Sequence, residues 1–252
     1  MKNYHTQIQK ILNQIEVLNK KCRKLSLEKS RYRMKLEKEK AKEKRNKYKQ
    51  TRKEINNLTL RIGSLYEEKA ISIESDEERL PLLLKALEYY EKSNYYESLK
   101  VLKTIKNISS SIGNNKLVKL CDTKKLYIEA EMLNNNAELL WYTCLRLAEK
   151  GQIDEKDKKW AKLNLLRGKI IRKLNKGLKY TIELDNPYLE IDFLTSLTWN
   201  LYRRINRHKF RKKIKNYHKR AAQIYESIAM KNINSNPELS IENFKKALGQ
   251  NG

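Results

Sequence analysis

The sequence predicts an all-α protein: a long N-terminal coiled-coil helix or helical hairpin, followed by an irregular array of antiparallel helical hairpins. Three observations carry this. The 252 residues include only seven Gly and three Pro, and strands with their turns consume more of both. Apolar residues recur at spacings of three and four through most of the chain, which is the helical period. Charged residues make up 34% and hydrophobic ones 39%, with a mean hydropathy of −0.83. That balance is too polar for one compact sphere and suits elongated helices that each bury a narrow stripe.

Residues 1–70 are expected to form a basic arm. Tyr4, Ile8, Ile11, Ile15, Leu18, Cys22 and Leu25 alternate in steps of four and three, the pattern of a heptad seam. A second frame runs through Met34, Ala41, Tyr48, Ile55 and Ile62, with Thr51, Leu58 and Leu65 between. The two frames differ in phase, so the seam slips between residues 34 and 48. The sequence leaves open one long helix or two helices folded back near the charged centre. Ile8, Ile11, Ile15, Leu18, Leu25, Ile55, Leu58 and Ile62 are the expected oligomerisation seam, and a homo-oligomer is the expected state. The arm holds 21 Lys+Arg against 8 Asp+Glu, half of the chain's net charge of +26.

Residues 71–78 read as a linker. Ser75 and Glu78 have capping-box spacing, and Pro81 belongs in a first helical turn, so a helix is expected to start near Arg79 or Leu80. Residues 79–252 then read as the hairpin array. Within residues 82–105, Ala86, Tyr89, Tyr95, Ser98, Leu99 and Leu102 flank a turn at Ser93-Asn94. Ser240, Phe244 and Ala247 recur with similar spacing in residues 236–248. Both stretches resemble the tetratricopeptide repeat, a helical hairpin whose small residues let two helices approach. Ser98 stands where that family usually has Ala, and Leu102 where it usually has an aromatic. The resemblance implies stacked hairpins that dock a protein partner. Further intra-hairpin turns are expected near residues 135, 177 and 207, a spacing less regular than the family's.

Two features suggest binding surfaces. Tyr89-Tyr90 and Tyr95-Tyr96 are adjacent pairs, so one member of each is expected to face outward; Tyr90 and Tyr96 are the candidates for partner contact. Between residues 203 and 220 stand Arg203, Arg204, Arg207, Lys209, Arg211, Lys212, Lys213, Lys215, Lys219 and Arg220, with no acid among them. Like charges on one helix repel, and a polyanion, with phosphate the natural ligand of Arg, offsets that. Trp141, Trp160 and Trp199 read as core.

Catalytic chemistry finds no support. Nucleotide loops and zinc-protease or serine-hydrolase motifs are missing, the three His and three Cys lack metal-ligand spacing, and carboxylates lie scattered. No cofactor, no metal and no enzyme activity are expected. The start lacks the apolar core of a signal peptide, no apolar run matches a bilayer, and the unpaired Cys set fits a cytoplasmic setting. The expected function is a non-catalytic scaffold or adaptor that binds a protein partner through its hairpins and nucleic acid through its basic surfaces. The alternatives are a direct, sequence-nonspecific RNA- or DNA-binding protein and a peripheral binder of anionic membrane.

Overall fold

The computed structural model describes residues 3–203 and 207–251. Among them are nine α-helices, one 3-10 turn and no strand, as the scarcity of Gly and Pro predicts. The chain divides into two compact units, residues 1–114 and 115–252. No helix among the described residues is long and apolar enough to cross a membrane.

The first unit opens with α1 (Tyr4–Met34) and α2 (Lys38–Ile71). They fold back on each other through residues 35–37, where Leu36 takes a left-handed φ of 59°. The turn falls in the charged centre, and this explains the phase slip: the first frame is the inward stripe of α1 and the second, from Ala41 onward, that of α2, while Met34 ends α1 exposed. Ile8 packs with Ile62 and Leu65, supported by Tyr4, Ile11, Leu12 and Ile15. Lys44 pairs with Glu28 across the hairpin at 2.7 Å. The hydrogen-bonded, charge-opposed Glu28 carboxyl is held below its ordinary pKa, chiefly by Lys44. Seam residues expected to meet a second copy therefore face a partner helix within the same chain.

Helix α3 (Asp76–Ser93) follows across residues 72–75, shorter than the expected linker of 71–78 because residue 71 ends α2 and 76–78 open α3, and packs along α2. It starts at Asp76, earlier than the position of Pro81 suggested, and Pro81 lies inside it. Ser75 holds the N-cap position, but its side chain makes no capping hydrogen bond. Helix α4 (Tyr95–Ser111) begins at the expected turn. The Asn94 side chain accepts hydrogen bonds from the backbone N–H groups of Tyr96 and Glu97, which stops α3 and starts α4 within one residue. Ala86 and Ser98 are wholly buried, as small residues at helix crossings should be, and Leu102 is buried beside them in sequence.

The expectation that Tyr90 faces a partner is corrected here: it is 3% exposed. The cause is Gly63 on α2. A Cβ at that position would lie 2.7 Å from the Tyr90 ring, so only Gly lets the ring lie flat on the helix backbone. The Tyr90 hydroxyl donates to Glu67 at 2.7 Å, while Tyr89 stacks on Tyr66. Burial first, then the bond to Glu67, raise the Tyr90 phenol well above its ordinary pKa. A raised folded-state pKa means the contribution is complete below about pH 10, where the unfolded phenol titrates, and fades as pH rises further. Tyr90→Phe is expected to cost about 1.5 kcal/mol, near the low end for a bond to a charged acceptor. Denaturant melts of both proteins at pH 8 and at pH 10.5 test this: the gap should narrow at the higher pH.

The second unit contains α5 (Asn115–Glu149), α6 (Ile153–Glu183), α7 (Pro187–Tyr202), the 3-10 turn Arg207–Phe210, α8 (Arg211–Asn232) and α9 (Pro237–Asn251). Gly151, at φ 72°, turns α5 into α6. The Asn186 side chain accepts from the Leu189 N–H and caps α7, with Pro187 at its first position. Helix α7 is the centre of this unit. Its Leu189, Phe193, Leu197 and Leu201 join Ala130, Ala137, Leu163, Ile170 and Leu174 in one core. Its Ile191 and Leu194 meet Ala221, Ile224 and Ile228 of α8 in a second. Helix α9 closes the far side of α8, where Ser240 Oγ donates to the Ala229 carbonyl at 2.9 Å.

Two expected turns are absent. Residues 134–136 lie inside α5, because Ala130 and Ala137 on either side are buried in the core and packing overrides the weak helix preference of Asn. Gly177 lies inside α6 because the Phe193 ring occupies the space of a side chain. The turn expected near residue 207 is a 3-10 segment leading into α8.

Candidate nucleic-acid interface

The basic run of residues 203–220 divides into cations that hold the fold and cations that face outward. Arg203 caps the C-terminus of α7. Its guanidinium lies 3.8 Å from the Trp199 ring centroid and 5.7 Å from that of Trp141, and it pairs with Glu138 of α5. Its carbonyl accepts from Arg167 of α6. Arg167 is only 1% exposed and lies 5.1 Å from the Trp141 ring. Two arginines and two tryptophans thus tie α5, α6 and α7 together at the end from which the basic run departs. A guanidinium does this where an ammonium would not, because its plane stacks on indole and its edge still donates.

Arg220 is the second structural cation. It grips Glu190 of α7 with two hydrogen bonds, Nε–Oε1 at 2.7 Å and Nη2–Oε2 at 3.2 Å. Glu190 is buried, and a buried carboxylate needs such a partner. The bond to Glu190 raises the Arg220 pKa further, against the opposing effect of desolvation. Arg203 and Arg220 therefore have carboxylate partners on other helices, which a scan of one segment does not reveal.

Lys209, Arg211, Lys212, Lys213, Lys215 and Lys219 are exposed. Helix α8 turns Ile214, Tyr217, Ala221 and Ile224 toward α6 and α7. Residues three and four apart share a face, so Arg211, Lys215 and Lys219 follow one another along the outer side, next to Lys212. Lys213 lies over the Tyr217 ring at 5.6 Å. Arg204 lies outside the described residues, as does the side chain of Arg207.

The structure corrects the reading of Trp199 as core: it is 46% exposed, and Tyr202 is 55% exposed. Tyr188, Asp192, Thr195, Trp199 and Tyr202, spaced by four, three, four and three, form the outer stripe of α7. The signal stands in the sequence, because Leu189, Phe193, Leu197 and Leu201 already supply the inward stripe. Beside the outer stripe, α7 and α8 enclose a hollow of 250 Å³ lined by Thr195, Thr198, Trp199, Tyr202, Tyr217 and His218, among others.

In the first unit, Tyr96 is 69% exposed at the start of α4, as expected for an outward tyrosine. Ile8, Leu25, Ile55 and Ile62 are buried, while Ile11, Ile15, Leu18 and Leu58 are half-buried.

The fold and this surface define an all-helical protein with a cationic, aromatic-edged helix pair. Neither protein-family models nor curated proteins give a match to the chain.

Proposed function

We propose that this chain is a non-catalytic scaffold that holds nucleic acid by its sugar-phosphate backbone along the outer side of α8. The observation that carries the proposal is the exposed set of Lys209 in the 3-10 turn and Arg211, Lys212, Lys213, Lys215 and Lys219 on α8, a helix whose place is fixed by Arg220–Glu190. Six cations that repel one another on about three turns gain most from a ligand of regularly spaced negative charge. Contacts of this kind carry no sequence information, so binding is sequence-nonspecific. The α3–α4 hairpin is the proposed docking element for a protein partner, in the manner of the repeats it resembles, with exposed Tyr96 as its contact residue.

Fluorescence anisotropy of a labelled oligonucleotide across a salt series tests the nucleic-acid function. If six phosphates are neutralised, log K should fall with log salt at a slope of about −4 for a single strand and about −5 for a duplex. Absence of binding at low salt would sink the proposal.

A further inference from the structure

We infer that the hollow between α7 and α8 receives an unpaired nucleobase, so that the protein prefers single-stranded nucleic acid to duplex. This rests on the backbone-binding function proposed above and adds the part of the ligand that α8 alone does not read.

The first observation is composition. Trp199, Tyr202 and Tyr217 bring three aromatic rings to one hollow, and His218 adds a fourth ring. Trp199 and Tyr202 are about half exposed. Aromatic faces beside a cationic groove are the shared device of proteins that bind single strands, because every base has a π-face to stack.

The second observation is rigidity. The Trp199 ring is backed by the Arg203 guanidinium at 3.8 Å, and Arg203 is tethered to Glu138. A platform already fixed loses less entropy when a base lands on it.

The third is size. At 250 Å³ the hollow falls below the roughly 300–1,000 Å³ that encloses a drug-sized ligand. It fits one ring system, with the sugar and phosphate left outside.

The fourth is charge. The residues that line the hollow include no carboxylate. Two other hollows of the same unit each contain two: Asp185 and Glu190 in one, and Glu131 and Asp192 in the other, which adjoins this hollow through the shared Thr195 and Trp199. Carboxylates repel a phosphate chain. Arg211 and Lys215 stand seven and three residues before His218, on the same face of α8. A strand whose base enters beside His218 therefore runs its phosphates along those two cations.

A base inside a duplex is stacked and paired, and extracting it costs a few kcal/mol, so the hollow discriminates against duplex. The test compares three probes with the full chain at low salt: a labelled DNA strand of about 15 nucleotides, its duplex, and a strand of the same length with abasic sugars in place of nucleosides. The abasic strand keeps every phosphate and removes every stacking face. The intact strand should bind about 5- to 150-fold more tightly than its abasic counterpart, the range that stacking of one base supplies. It should also quench tryptophan fluorescence where the abasic strand does not. Trp199→Leu should bring the intact strand down toward the abasic one.

Equal affinities of the intact and abasic strands for the wild-type chain, with a steep salt slope, would overturn the base site and leave the backbone function standing. Failure of all three probes to bind would overturn both. The abasic comparison needs no variant, so a folding defect in Trp199→Leu cannot mask the answer.

Discussion

Phe193→Ala is expected to destabilise the second unit by about 3–5 kcal/mol, the range for removing a buried aromatic ring. Phe193 is fully buried at the meeting of α5, α6 and α7. Its ring meets Tyr127 in an edge-to-face contact, with centroids 5.3 Å apart, and also lies against Gly177. A Cβ at Gly177 would sit 2.1 Å from Phe193 Cε1 and 2.3 Å from Cζ, closer than non-bonded carbons tolerate without movement. Gly177→Ala therefore sets two effects against each other. Helix propensity favours Ala by about 1 kcal/mol, whereas forcing a packed ring aside costs about 1–3 kcal/mol. Steric cost should win, and the single variant should be less stable than the parent. In the Phe193→Ala background the obstruction is gone, and the same Gly177→Ala change should become stabilising. A double-mutant cycle by chemical denaturation reads this reversal directly. A neutral or stabilising Gly177→Ala in the wild-type background would show that α6 and α7 do not make this close approach.

Gly177 also marks where sequence reasoning stops. A Gly within a helical pattern signals either a turn or a close approach, and which one depends on a ring 16 residues away in the chain. Asn134–136 failed as a turn for a related reason: local preferences of a few tenths of a kcal/mol gave way to the burial of Ala130 and Ala137. Where the determining contacts are local, the sequence was sufficient. The Asn94 turn forms where it is expected, and the Asn186 cap followed by Pro187 and the Gly151 turn are built from equally local signals. The out-of-phase heptads of the arm held more than one meaning. They allowed a long helix or a hairpin, and the hairpin at Leu36 reconciles both frames. The candidate site was legible in charge and not in partners. Arg203 and Arg220 looked like members of one patch until Glu138 and Glu190 met them from other helices. The aromatic edge beside the patch is hard to see in sequence because Trp199 stands among apolar neighbours, and only its phase along α7 turns it outward.

Replacing Lys212, Lys213, Lys215 and Lys219 together by Gln is expected to remove most nucleic-acid binding. Each lost phosphate contact reduces the single-strand salt slope by about 0.7, so four should flatten it by about 3 and lower affinity by roughly 10²–10³-fold near 0.1 M salt. The chain's net charge of +26 offers a competing explanation, since any strongly basic protein attracts polyanions. A matched control separates the two. Lys21, Lys42, Lys49 and Lys53 are exposed on α1 and α2, and changing them to Gln removes the same four charges from the first unit. If overall charge is what binds, both quadruple variants weaken alike. If α8 is the binding face, only the first does. Unfolding is a poor alternative explanation of a loss on α8, because the substitutions relieve repulsion. Lys212 and Lys215 are three apart, and Lys215 and Lys219 four apart, and each such like-charge pair costs about 0.2–0.5 kcal/mol. The α8 variant should therefore melt at or slightly above the parent temperature while its affinity falls. Stability and binding that move in opposite directions are the signature of a helix whose charge is kept for a ligand.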